Sequence, residues 1–249
     1  MALLEVDGLT RRYGGITAVN QVTMRVEAGE IRAVIGPNGA GKTSLFHLLT
    51  GVIRPSEGHI RFDDKPLTGL SAYRICQSGL SRTFQLTSLF PAMTARENAR
   101  LSAQARLRRP WQPYGGGKLF AEAARRGDEA LERLGLTGVA DRPAGLLSHG
   151  DQRLLEVAMA LAQHPRVLLL DEPTQGLSVE ETHSAVETLS SLFAGGGLTV
   201  LLVEHDMDVV FRLAGRIMVM HRGSVIADDV PAVVKADAAV QAAYLGGYA

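Results

Sequence analysis

Gly36-Pro37-Asn38-Gly39-Ala40-Gly41-Lys42-Thr43 fits the pattern G-x-x-x-x-G-K-[ST] at every fixed position. The chemistry that this spacing allows is the binding of phosphate groups. Glycines at 36, 39 and 41 permit a tight turn and a close backbone approach, because no Cβ stands in the way. Amide hydrogens can then point at anionic oxygens, and the N-terminus of the following helix adds roughly half a positive charge. Lys42 can reach the outer phosphates and the Thr43 hydroxyl can ligate Mg²⁺. Only Lys65, Lys118 and Lys235 accompany Lys42 as lysines, so composition alone does not place one here.

Two further polar groups end apolar runs. Val167-Leu168-Leu169-Leu170 stops at Asp171-Glu172, and Leu198-Thr199-Val200-Leu201-Leu202-Val203 stops at Glu204-His205-Asp206. Continuous apolar runs suit strands buried on both faces of a parallel sheet, and ligands sit beyond the carboxyl ends of such strands. Adjacent carboxylates there are costly unless paired, hydrated or bound to metal. Asp171 therefore reads as a Mg²⁺ ligand that completes an octahedral shell with Thr43 and phosphate oxygens. Glu172 reads as the group that takes a proton from, or orients, an attacking water, a role worth about a hundred- to ten-thousand-fold in rate. Gln85 would contact the metal or the water, and His205 would hydrogen-bond the terminal phosphate.

These groups need strands and helices to hold them. Ile31–Ile35 reads as the strand feeding the glycine loop, and Ser44–Leu49 as a helix stopping at Gly51. Residues 3–35 are β-rich, and Tyr13 precedes Gly14-Gly15 on a connecting stretch. That tyrosine is either a packed turn residue or a flat face for an adenine ring. Residues 59–62 read as a short strand, 70–79 as a helix, and Leu80–Gln85 as a strand ending in a polar residue. Segments 94–107 and 119–135 read as helices, separated by the breaker-rich stretch 110–117. Here Arg100, Arg106, Arg108, Arg109, Lys118, Arg125 and Arg126 face only Glu122. The pattern fits a solvated basic face or one near an anionic membrane surface. Leu147-Ser148-His149-Gly150-Asp151-Gln152 opens another helix, with Ser148 and Asp151 at the capping-box spacing. Capping does not explain Gly150, which costs stability in a first turn but frees the backbone for close approach. A helix start of this kind could receive an anion. Residues 216–227 read as a hairpin and 231–244 as alanine-rich and helical.

Composition bounds the rest. The 249 residues allow one or two domains, and 26 basic against 26 acidic side chains cancel, so nothing points to nucleic acid. Cys76 is the only cysteine, which excludes internal disulfides and cysteine-based metal clusters and fits a reducing compartment. The N-terminus lacks a signal-peptide pattern, and no run nears the eighteen or so apolar residues of a membrane span. The expectation is a soluble intracellular chain whose membrane role, if any, comes through partners.

In their order along the chain, these pieces resemble the ATPase subunits of ABC transporters. The matching residues are Tyr13, the Walker A loop 36–43, Gln85 as the Q-loop, the Leu147–Gln152 signature, the Walker B strand 167–172, a D-loop at Gly176-Leu177-Ser178, and His205 as the switch histidine. The resemblance spans nearly the whole chain. It implies an α/β fold, a P-loop NTPase (RecA-like) core with an antiparallel β subdomain and a helical subdomain. The core would take about 1–90 and 160–249, and the helical subdomain about 91–159. It implies ATP and Mg²⁺ as cofactors, with nucleotide contacts from Tyr13, Gly36, Asn38, Gly39, Ala40, Gly41, Lys42, Thr43, Ser44, Ser148, Gly150 and Gln152. The metal contacts would be Thr43, Gln85 and Asp171, and the catalytic groups Glu172, His205, Gln85 and Lys42.

In that family two ATPase domains pair head to tail, so Ser148 and Gly150 of one would close over the γ-phosphate held by the other. Permease subunits would dock on the region after Gln85, at the cytoplasmic face of the inner membrane. The signature departs from the commoner pattern at His149 and Asp151, and Ser178 stands where the D-loop usually has aspartate. Neither departure removes a phosphate-contacting amide, so activity is expected. A narrower likeness lies in Arg82-Thr83-Phe84-Gln85, Leu89-Phe90, Met93-Thr94, Glu97-Asn98, Val203–Met207 and Ala243-Tyr244-Leu245-Gly246. These are similar to the larger ATPase of importers for branched-chain amino acids, which combine two ATPases, two permeases and a solute-binding protein. Competing expectations are an ATPase for urea or short amides, one for lipid or polysaccharide export, and a soluble ABC ATPase outside transport.

Overall fold

The computed structural model describes residues 2–83, 89–107 and 117–245. The chain forms two compact units, one from Met1–Ser78 with Gly197–Ala249 and the other from Gly79–Gly196.

The first unit opens with a long hairpin, β1 (Ala2–Tyr13) and β2 (Ile16–Glu27). Tyr13 pairs with Ile16, so Gly14-Gly15 makes the two-residue turn, for which glycine supplies the positive φ. Alternate residues Leu4, Val6, Val22, Met24 and Val26 are buried, the period-two pattern of a sheet with one face covered. There follow β3 (Ile31–Ile35), α1 (Lys42–Leu49), β4 (Glu57–Phe62), the short β5 (Lys65–Pro66) and α2 (Ala72–Ser78). An antiparallel sheet runs in the order β2-β1-β4-β5.

The second unit contains β6 (Leu80–Arg82), α3 (Ala95–Leu107), α4 (Gly117–Arg133), α5 (His149–Leu161), β7 (Val167–Asp171) and α6 (Val179–Ala194). β6 and β7 pair in parallel, with Leu80 opposite Val167 and Arg82 opposite Leu169. Every residue of β7 is buried, as its unbroken apolar run requires. Thr94 and Glu97 make a capping box at the start of α3, each accepting from the other's amide. Ala99 and Ala103 of α3, with Ala123 and Ala130 of α4, are buried small residues that let the two helices approach closely.

The basic stretch in this unit is not a bare cationic face. Arg125 pairs with Glu122 and Glu129, Arg126 with Glu122, and Arg96 with Asp128 and Asp141. Carboxylates from the next helical turn and from the loop after α4 supply partners that a count ending at Arg126 misses. Arg108 and Arg109 lie outside the described residues.

The chain returns to the first unit with β8 (Thr199–Val203), α7 (Met207–Leu213), β9 (Arg216–His221), β10 (Ser224–Asp229), α8 (Pro231–Ala236) and α9 (Ala238–Leu245). In this unit β10, β9, β3 and β8 lie side by side in that order, β3 parallel to both β8 and β9. Ala33 and Ile35 of β3 pack with Val210, Ile217, Val219, Val234 and Val240 in one apolar cluster. The helical stretch expected over 231–244 divides into two helices. Asp237 adopts an extended backbone, and its side chain accepts from the Ala239 and Val240 amides, stopping α8 and capping α9.

Candidate functional site

In the first unit the glycine loop joins the end of β3 to the start of α1. Gly36 has φ 152°, and a Cβ there would stand 2.1 Å from the Met220 carbonyl oxygen. Gly41 has φ 102°, and a Cβ there would stand 2.2 Å from the Ala18 carbonyl oxygen. Both positions exclude any other residue, because the loop is pressed against neighbouring backbone while turning through the left-handed region. The Gly223 amide donates to the Ala40 carbonyl at 3.0 Å, tying the loop to the β9–β10 turn. Buried Lys42 donates from Nζ to the Gly36 carbonyl at 2.6 Å and to the Pro37 carbonyl at 3.2 Å, spanning the loop. Thr43 and Ser44 follow in the first turn of α1, whose cap, Gly41, offers no side-chain acceptor to the helix amides. That is an anion-binding geometry: a helix N-terminus with no acidic residue in its first turn. Asn38, Gly39 and Ala40 also border a cavity of about 610 Å³ with His221, Arg222 and the alanines of α9.

Val34 of β3 registers with Val203 of β8, so the glycine loop and Glu204-His205 leave neighbouring strand ends at one edge of the sheet. Glu204 is buried and accepts from the His205 amide at 3.1 Å, while the His205 side chain is exposed. Asp206 caps α7 by accepting from the Asp208 and Val209 amides. Tyr13 closes β1, 43 % exposed, with the Arg11 guanidinium 4.5 Å from its ring centroid. It is not a packed turn residue. Arg11 takes one ring face in a cation–π contact, and a flat ligand would compete for it or use the other.

In the second unit Asp171 ends β7. The Thr83 hydroxyl accepts from the Asp171 amide at 3.2 Å, and Arg82 Nη2 donates to Asp171 Oδ2 at 2.5 Å. Asp171 Oδ1 is buried and accepts no hydrogen bond from any described residue. An oxygen so placed fits a divalent cation, which supplies the missing positive partner. Among the described residues no group of three or more His, Cys, Asp or Glu could hold a metal unaided. A Mg²⁺ ion at Asp171 would therefore draw most of its oxygens from phosphate and water, as is usual for this ion. Glu172 is 5 % exposed and has φ 53°, a left-handed backbone rare outside glycine and asparagine. Gln85 lies outside the described residues.

Ser148 caps α5 as its spacing predicts, its hydroxyl accepting from the Asp151 amide at 3.1 Å. Gly150 is buried, and its amide donates to Glu181 Oε1 at 3.1 Å. The Gln152 side chain donates to the Leu147 carbonyl, bracing the turn before the helix. Ser178, in the place usually held by aspartate, caps α6 in a full capping box with Glu181. Serine and aspartate serve nearly equally as caps, so this departure leaves the helix start intact. The amides of Ser178 and then Gly150 hold the Glu181 carboxyl below the ordinary range. Sequence reasoning gives no site role to Glu181, and Arg82 enters only through the family likeness of Arg82–Gln85. The signal for Glu181 was the S-x-x-E spacing from Ser178, and for Arg82 a charge inside the strand-like run Leu80–Gln85.

The profile of the ABC transporter family matches residues 19–175. This chain belongs to the ABC transporter family. It is an ATP-binding cassette and an ATPase. A second profile, for branched-chain amino acid ATP-binding cassette transporters, matches residues 224–249 of the cassette. Among its relatives is BraF of Pseudomonas aeruginosa, a high-affinity branched-chain amino acid transport ATP-binding protein. The two are 40 % identical over 252 residues, covering 98 % of each chain. The ADP conformation of an ABC transporter cassette matches the fold with TM-score 0.84 and 28 % identity, over 99 % of both chains. A bacterial cassette solved as a dimer matches with TM-score 0.77 and 27 % identity, over 91 % of this cassette and 98 % of that one. The α/β architecture expected from the motifs is that of these cassettes.

Proposed function

We propose that this cassette powers the uptake of branched-chain amino acids through a pair of permease subunits at the cytoplasmic face of the inner membrane. The observation that carries the proposal is the 40 % identity to BraF along 98 % of both chains. The match of residues 224–249 to the branched-chain profile adds to it, because that segment lies beyond the 19–175 core match. A solute-binding protein would deliver the amino acid to the permeases. The cassette would work in a pair, with a copy of itself or a sister ATPase, as the dimeric form of a similar cassette suggests.

In this reading ATP lies along the glycine loop, its phosphates held by the amides of Gly36 and Asn38–Ser44 and by Lys42. Lys42 exchanges its two loop carbonyls for phosphate oxygens. Tyr13 stacks on the adenine ring. Thr43, Asp171 and Gln85 would hold Mg²⁺, which would supply positive charge to neutralise developing phosphate charge. Glu172 accepts the proton of the attacking water, and His205 hydrogen-bonds the γ-phosphate. Ser148, Gly150 and Gln152 of the partner cassette close the site, and hydrolysis reopens it to reset the permeases.

The test is uptake of labelled leucine, isoleucine and valine in a strain lacking the chromosomal copy. Wild-type cassette should restore uptake, and Glu172→Gln should bind ATP, trap a dimer and lower turnover by about a hundredfold or more. Undiminished amino acid uptake in the deletion strain refutes the transport assignment. Wild-type turnover in Glu172→Gln removes that residue from its role.

A further inference from the structure

The two oxygens of Asp171 differ. Its side chain is wholly buried, Oδ2 receives Nη2 of Arg82 at 2.5 Å, and Oδ1 is left without a hydrogen-bond donor among the described residues. Arg82 itself is only 4 % exposed. A buried ion pair made solely for packing has its remaining lone pairs satisfied, since a half-satisfied buried carboxylate is costly. Here one oxygen is neutralised and the other kept open. Beside Arg82 lies a cavity of about 110 Å³, bordered also by Thr83, Ser102, Gln163 and Glu156. Glu156 is a second buried carboxylate, paired with Arg153, whose Nη2 reaches the Gln175 carbonyl at 3.5 Å.

We propose that Arg82 is a stand-in cation for the metal site, neutralising Asp171 whenever no divalent ion is bound there. The inference rests on the reading of Asp171 as a Mg²⁺ ligand and goes beyond it. An arginine suits this role because its guanidinium stays charged at any working pH and is weakly hydrated enough to be buried. The adjoining cavity gives the guanidinium room to withdraw toward Glu156 when a second positive charge arrives at Oδ1. Arg82 is thus a positioning residue. It holds Asp171 aimed in the empty cassette, and its repulsion of Mg²⁺ keeps the ion from binding before nucleotide supplies further oxygens.

The experiment uses the nucleotide-free full chain. Thermal midpoints are recorded across a millimolar titration of MgCl₂, and Mn²⁺ binding is followed by electron paramagnetic resonance. Wild-type protein should show a midpoint nearly indifferent to Mg²⁺. Arg82→Gln should unfold earlier, recover as Mg²⁺ rises, and bind Mn²⁺ on the order of tenfold more tightly without nucleotide. Arg82→Lys, which keeps the charge, should behave like wild type. A merely structural arginine would give a loss that no divalent ion repairs. The proposal is overturned if Arg82→Gln stays unfolded or destabilised at every Mg²⁺ concentration, or if Arg82→Lys shows the same Mg²⁺ dependence as Arg82→Gln. Asp171→Asn separates the two levels. If its nucleotide complex binds Mn²⁺ as wild type does, the metal-ligand reading itself fails. If that binding is lost while Arg82→Gln ignores divalent ions, only the stand-in role fails.

Discussion

Glu172 pays no attention to the conformational preferences of its side chain: it sits at φ 53° with only 5 % of its surface exposed. A non-glycine residue in the left-handed region costs about 1–2 kcal/mol, and such outliers cluster at functional sites. The strain can be separated from the carboxylate by deleting the side chain in two ways. Glu172→Gly should be more stable than Glu172→Ala by about 1 kcal/mol in urea unfolding, since only alanine retains the left-handed penalty. Equal stabilities would mean that the backbone relaxes without cost. Both variants should lack hydrolysis, so the difference in stability between them reads the backbone strain apart from turnover.

Among the elements, α6 and α4 carry the clearest expectations. Ser178→Ala removes the hydroxyl that accepts from the Glu181 amide at 3.2 Å and should cost about 0.5–2 kcal/mol by chemical denaturation. A loss well outside that range would show that more than a helix cap resides there. On α4, hydrogen bonds from Arg125 and then Arg126 hold Glu122 down to about 2. A carboxylate depressed in the folded state contributes stability above its unfolded value, and the contribution fades as pH falls through the folded one. The Glu122 contribution should therefore be complete above about pH 4.5 and vanish toward pH 2. A carboxyl NMR titration of Glu122 should show that low midpoint, and Arg125→Gln should raise it. Strands and helices like these were legible because burial imposes a period on sequence: β7, β8 and the hairpin β9–β10 lie where their apolar runs do. Asp237 hid the break between α8 and α9, because a lone aspartate among alanines carries no periodic signal. The glycine loop was legible to the residue. The pairing of Arg82 with Asp171 was not, because strand register across a long sequence gap leaves no local mark.

At the scale of the whole molecule, Lys42, Thr43 and His205 belong to one compact unit, whereas Asp171, Glu172, Ser148 and Gly150 belong to the other. The compact units divide at 78/79 and 196/197, with β6 and β7 grouped with the helices that follow and precede them. Hydrogen exchange can follow nucleotide binding unit by unit. ATP with chelator should slow exchange at the 36–45 amides alone, and protection at 171–172 should require added Mg²⁺. Protection of both segments without the metal would contradict the assignment of Asp171 to it. Saturating ligand at about a hundredfold its dissociation constant should add about 2.7 kcal/mol to stability.

The contact of the glycine loop with Met220 and Gly223 bears on how the protein is made. Residues 36–41 leave the ribosome before residues 220–223, yet the carbonyl against which Gly36 packs and the amide that holds Ala40 arrive only with the β9–β10 hairpin. During translation, at about 5–20 residues per second, the nascent chain carries a phosphate motif that lacks its backing strand. Nucleotide can take its final grip only once the C-terminal portion has emerged, so a prematurely terminated product is born unable to clasp and squander ATP.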